Sequence, residues 1–179
     1  GNIPFNAKDP HNVQGARDKG MDGKGVTIGI IDSSFNINSP EFFGSDGKSR
    51  LSKNSDFKGN TNMHGSLVSE VIGGKTNGIA NNVNIKGVEA GTVCSDGSDR
   101  CLIVSKAMYD SLYADGVRIF NQSFGTGNKT IKSVTKSDMP LTDPQLDFYY
   151  RHSITDSLFI WATGNNGATD PLAEAGLPY

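Results

Sequence analysis

Short apolar runs alternate with longer stretches of helical spacing along most of this chain. Residues 26–31 (VTIGII) form a β-branched run, preceded by the turn-like DGKG, and predict a buried strand ending at Asp32. From Phe35 to Asn62 the chain is rich in Asn, Ser, Gly, Lys and Asp and reads mostly as loop. His64 then opens a segment with Leu67, Val68, Val71 and Ile72 at helical spacing, stopped by Gly73 and Gly74. VNIKGVEA (83–90) predicts a second strand. Residues 102–115 place Leu102, Ile103, Ala107, Met108, Leu112 and Tyr113 on one helical stripe, closed by Gly116. VRIFNQSFG (117–125) predicts a third strand, and a second loop runs to about Asp143. A helix is expected from near Pro144, since proline is tolerated in a first turn, and LFIWAT (158–163) is a fourth strand.

Strands alternating with helices imply an α/β fold, a doubly wound parallel sheet with right-handed crossovers. Ligands bind such sheets outside the carboxyl ends of the strands. Asp32, Ser123 to Gly127 and Gly164 to Gly167 all fall just past predicted strand ends, and His64, opening a helix, points to the same rim.

Length and charge narrow the classes. With 179 residues, 35% hydrophobic and 22 glycines, residues 1–179 fit one domain better than two. A net charge of −2, from 17 basic and 19 acidic residues, leaves no basic stripe for nucleic acid. No apolar run reaches membrane-spanning length. The N-terminal GNIPFNAKDP lacks a basic region followed by an apolar stretch, so a cytosolic protein or one with its leader removed is expected. Cys94 and Cys101 bracket the polar loop SDGSDR, which suits a disulfide in an oxidising compartment more than two unrelated thiols. Two cysteines with no nearby histidine do not make a structural zinc site, and no metal site is expected. GGKT at 73–76 ends like a phosphate-binding loop, but Ser69 stands where the earlier glycine is required and a helix precedes it.

Each residue that could carry chemistry also has a plain reading. Asp32 ends an apolar strand in IIDSS, where a buried carboxylate needs a partner; such a residue is more often a turn-capping aspartate. His64, in MHGSLVSEVIGG, taken singly is more often a solvated histidine than a catalyst. In WATGNNG (161–167) an asparagine amide after a strand can donate toward developing negative charge; Asn and Gly there also suit a left-handed turn. NQSFGTG (121–127) offers extended backbone followed by glycines, suited to binding a peptide main chain or serving simply as a strand exit.

Together these segments resemble the subtilisin family of serine peptidases. GKGVTIGIIDSSFNINSPEF is similar to the strand leading to the family's triad aspartate, and HGSLVSEVIGG to its histidine helix. GIANNVNIKGVEA, VRIFNQSFGTG and LFIWATGNNG are similar to the next strand, the substrate strand and the oxyanion segment, in the family's order across most of residues 20–167. The resemblance implies a subtilisin-like sheet, incomplete at its C-terminal side. It implies that Asp32 orients His64, that His64 is general base and then general acid, and that Asn165 donates to the oxyanion. Ser123, Phe124 and Gly125, with Gly164, would border the cleft for the substrate residue before the scissile bond.

The sequence departs from the family in several places. No Gly-Thr-Ser nucleophile motif is present, so the serine is expected on sequence beyond this chain. Ser34 replaces a usual glycine, and Leu67 a usual second histidine. The connection GGKTNGIA carries no carboxylate, so the calcium site that many relatives hold there is expected to be missing; the acidic stretches 44–47 and 95–99 read as solvated loops before weak calcium sites. No cofactor is needed for the implied chemistry. Partners would be protein or peptide substrates and the remaining C-terminal part of the catalytic domain. The closing AEAGLPY and the cysteine loop are similar to autotransporter passenger domains, which implies a secreted or bacterial cell-surface protein. Two other classes compete: an inactive subtilisin-like binding or scaffold domain, and a small-molecule enzyme holding a nucleotide near GTGN (125–128).

Overall fold

The computed structural model describes residues 6–92, 101–124, 152 and 155–163. A short helix α1 (Val13–Asp18) precedes the central strand β1 (Thr27–Asp32). After a 3-10 turn at Pro40–Phe42 come β2 (Leu51–Lys53), α2 (His64–Gly73) and β3 (Asn84–Glu89). A small ribbon of β4 (Gly91–Thr92) and β5 (Cys101–Leu102) follows, then α3 (Lys106–Ala114), β6 (Ile119–Gln122) and β7 (Leu158–Trp161).

The five longer-range strands form one sheet in the order β2-β3-β1-β6-β7, and every pairing in it is parallel. The chain builds outward from β1 on one side through β3 and β2, then on the other through β6 and β7. That reversal beside β1 opens a crevice at the carboxyl ends of the strands.

Strand alternation sorts the core into two layers. Ile31 and Val88 face α3 and pack with Met108, Tyr109, Leu112, Val117 and Phe120. Ile30 and Ile85 face the other way and pack with Phe35, Phe42, Leu51 and Val83, against Val68 and Ile72 of α2. Adjacent isoleucines at 30 and 31 thus serve opposite layers, as expected of a strand covered on both faces.

Three expectations are corrected. The Phe35–Asn62 stretch contains a strand, β2, whose Leu51 and Lys53 pair with Ile85 and Gly87. Only Leu51 of its three residues is buried, so no apolar run marks it. The helix expected over 102–115 begins at Lys106, because Leu102 pairs with Gly91 in the ribbon and Ile103 donates to the Ala90 carbonyl. Gly73 remains inside α2, and Gly74 leaves it in extended rather than left-handed geometry. The freed carbonyls of Val71 and Ile72 are met by the amides of Ile79 and Ala80. By contrast, Gly116 does close α3 at φ 87, with Val117 N–H reaching the Leu112 carbonyl and Gly116 N–H the Tyr113 carbonyl. The helix near Pro144 lies outside the described residues.

Candidate active site

Asp32 is the last residue of β1 and His64 the first of α2, and the fold brings them together at the carboxyl-end rim. The His64 Nδ1 stands 2.9 Å from Asp32 Oδ1 and 3.0 Å from Oδ2. A nitrogen facing a carboxylate at this distance carries the proton, so Nε2 is left as the acceptor. The two side chains differ sharply in exposure: Asp32 is 1% exposed and the His64 ring 49%. The carboxylate is therefore held out of water while the far edge of the imidazole stays accessible.

Donors gather on one oxygen of the buried Asp32 carboxyl. Its Oδ1 accepts from the Ser33 amide at 2.6 Å and the Ser33 hydroxyl at 3.1 Å, besides the imidazole. Burial of a carboxylate without such partners would be prohibitive. Glycine at 65 lets the two elements approach: a Cβ there would come within 2.7 Å of the Ser34 carbonyl oxygen and 3.1 Å of the Asp32 Cβ. The first-turn amides of α2 find partners outside the helix, His64 N–H on Asn62 Oδ1 and Gly65 N–H on the Ser33 hydroxyl. Ser34, the residue replacing a usual glycine, is accommodated as a tether. Its hydroxyl donates to the Asn60 carbonyl and its own carbonyl accepts from Ser66.

Behind Asp32 lies a carboxylate that the sequence reading missed. Glu89 ends β3 as the register partner of Asp32 and is 7% exposed. Its Oε1 accepts from Phe35 N–H at 3.1 Å and Lys53 Nζ at 2.8 Å, and its Oε2 from Gly59 N–H at 3.0 Å. Burial pushes this carboxyl up, but the bonds from Lys53, Gly59 and Phe35 outweigh it and hold it below the ordinary value. The signal was present in β3, where Ile85, Gly87 and Glu89 share a face by alternation.

At the other side of the crevice, Ser123 and Phe124 follow β6. The Asn121 amide donates to the Ser123 hydroxyl at 2.9 Å. Phe124 meets Trp161 edge-to-face, ring centroids 6.3 Å apart. Beneath them the Tyr109 hydroxyl donates to Gln122 Oε1 at 2.5 Å, while the buried Gln122 Nε2 has no hydrogen-bond partner. Gly125, Gly164 and Asn165 lie outside the described residues, as does Cys94 and with it the expected pairing with Cys101. Among the described residues no group of three or more His, Cys, Asp or Glu could hold a metal, and no helix is long and apolar enough to cross a membrane.

Known proteins resemble this chain in sequence and in fold. The chain is 33% identical over 113 residues to alkaline serine exoprotease A of Vibrio alginolyticus, which covers 60% of the chain and 20% of that protein. Among solved structures, a cold adapted subtilisin-like serine proteinase is similar at 27% identity and TM-score 0.50, over 81% of this chain and 48% of that one. The prenylagaramide maturation protease PagA shares the fold at 20% identity and TM-score 0.62, over 94% and 56%. The chain thus spans between a fifth and little more than half of these relatives' length. A sequence model of the subtilase family matches residues 23–178, and the chain belongs to that family.

Proposed function

We propose that this chain is the N-terminal part of the catalytic domain of a serine endopeptidase, acting through an acyl-enzyme with the nucleophilic serine supplied by sequence outside it. The observation that carries the reading is the Asp32–His64 pair, a buried carboxylate bonded to the Nδ1 of a half-exposed imidazole at the sheet rim. In this reading His64 Nε2 takes the serine proton as general base and returns it to the leaving amine, while Asp32 holds the tautomer and stabilises the imidazolium. Asn165 donates its amide to the tetrahedral oxyanion. Ser123, Phe124, Gly125 and Gly164 border the cleft, and the substrate backbone extends along the exit of β6. No cofactor enters the chemistry, since proton transfer and charge stabilisation are both assigned to side chains.

A second feature supports a missing part. Phe159 and Trp161 of β7 pack against the α3-side core, so Leu158 and Ile160 face the opposite side. These two are 56% and 44% exposed. An apolar face of this kind is where a further layer of the domain would pack. Together with the cysteine pair, the likeness to an exoprotease supports an extracellular protein acting on protein or peptide substrates.

A fluorophosphonate probe tests the reading in the full-length protein. One covalent adduct on a serine outside residues 1–179, abolished by His64→Ala, is expected. Absence of any adduct in folded full-length protein would overturn the peptidase assignment in favour of a non-catalytic binding domain.

A further inference from the structure

Glu89 lies beside Asp32 in the sheet register, and three segments around the pair converge on its carboxylate. Lys53 comes from β2, Phe35 from the turn after β1, and Gly59 from the chain leading into α2. The segments of Phe35 and Gly59 continue directly into the site. The turn 33–36 is bonded to the first turn of α2 through Ser34 and Ser66 and through Asn36 N–H on the Ser66 hydroxyl at 2.7 Å. Gly59 is followed by Asn60, which accepts from Ser34, and Asn62, which caps the His64 amide.

We propose that Glu89, neutralised by Lys53, is a positioning residue for the Asp32–His64 pair. It clamps the turn after β1 and the approach to α2 against the sheet rim, and the Lys53 ammonium cancels a second anion beside Asp32. This rests on the peptidase reading above. The charge balance follows from the register: Asp32 and Glu89 are neighbours on parallel strands, and two uncompensated carboxylates there would repel.

Among the described residues, the charged groups on the elements around the pair are these. β1 contributes Asp32, β2 Lys53 and β3 Glu89; Lys86 of β3 is paired with Asp115 at 3.5 Å. On α2, Glu70 accepts from Ser39, and in the 3-10 turn Glu41 accepts from Thr76. The segment before α2 adds Asp56 and Lys58, exposed and opposite in sign.

The test uses full-length protein with Lys53→Met, Glu89→Gln and the double substitution. Two readouts are followed against pH: the fluorophosphonate labelling rate, and the imidazole NMR signal of His64, assigned with His64→Gln. Losing Lys53 leaves an extra anion that favours imidazolium, so the midpoint should rise by about half a pH unit. Losing the Glu89 charge leaves Lys53 unbalanced, so the midpoint should fall by a similar amount. The double variant should return close to the parent midpoint, and Lys53→Arg should not move it. Midpoints that stay put in both single variants while melting temperatures drop would overturn the proposal, leaving Glu89 a structural anchor only. If the parent protein takes no probe yet the NMR midpoints move as described, the peptidase reading fails and the positioning role stands.

Discussion

A buried carboxylate beside a half-exposed imidazole is held in place by a handful of atoms, and single substitutions should expose how. Asp32→Asn keeps the shape but places an amide opposite Nδ1, which favours the wrong tautomer. We expect kcat of the full-length enzyme to drop by about 10⁴-fold, the size that loss of this aspartate has in subtilisin itself. Steady-state hydrolysis of a chromogenic peptide measures it; a drop below tenfold would contradict the assigned role. Gly65→Ala acts through shape alone. Its methyl group must displace the Ser34 carbonyl, 2.7 Å away, and so push α2 from Asp32. A destabilisation of about 1–3 kcal/mol is expected by denaturant unfolding, together with slower probe labelling. Asp32 and His64 were both legible in the sequence as residue types at strand and helix ends. The face of Glu89 could be read from the alternation of β3 but its bonds could not, because its three partners come from positions 30, 36 and 54 residues away.

Among the elements, α3, β6 and β7 pack in one layer, and a buried polar contact joins α3 to β6. Tyr109 from α3 donates to Gln122 at the end of β6, while the other half of that amide is already unpaired. Tyr109→Phe would leave both Gln122 polar atoms without partners and should cost about 1–3 kcal/mol. Adding Gln122→Met removes the stranded amide, and the double variant should regain most of that loss in the same unfolding experiment.

The start of β7 is fastened to α3 differently. Asp156 accepts from the Tyr113 hydroxyl and from Ser157 at 2.9 Å, and Arg118 lies over the Tyr113 ring. The Tyr113 bond, then Ser157 and His152, lower the Asp156 carboxyl from 3.8 to about 2. A folded-state value below the unfolded one gives stability that is complete above about pH 4 and lost as pH falls toward 2. Melting temperature of the parent should therefore decline across that window, and Asp156→Asn should flatten the decline. β2 and the β4–β5 ribbon show what periodicity cannot see. Three residues with one buried side chain, or two residues in a ribbon, are too short to carry a pattern. Leu102 and Ile103 fell in with the α3 spacing for the same reason, since short apolar runs fit either period.

At the scale of the whole molecule, the local pattern by itself determined that this is an α/β chain, that β1, β3, β6 and β7 alternate with α2 and α3, and that Asp32 ends β1. These are properties of neighbouring residues: apolar runs, helical spacing and glycine stops. Only the tertiary structure decided the strand order β2-β3-β1-β6-β7 and the two-sided core. It alone placed His64 against Asp32, 32 residues apart, and put the Glu89–Lys53 pair beside them. Parallel strands are joined through crossovers, so their neighbours are always distant in sequence, and local periodicity carries no information about such partners. The surroundings of Asp32 are therefore a product of packing: His64, from 32 residues away, meets its carboxyl only when α2 is packed against β1.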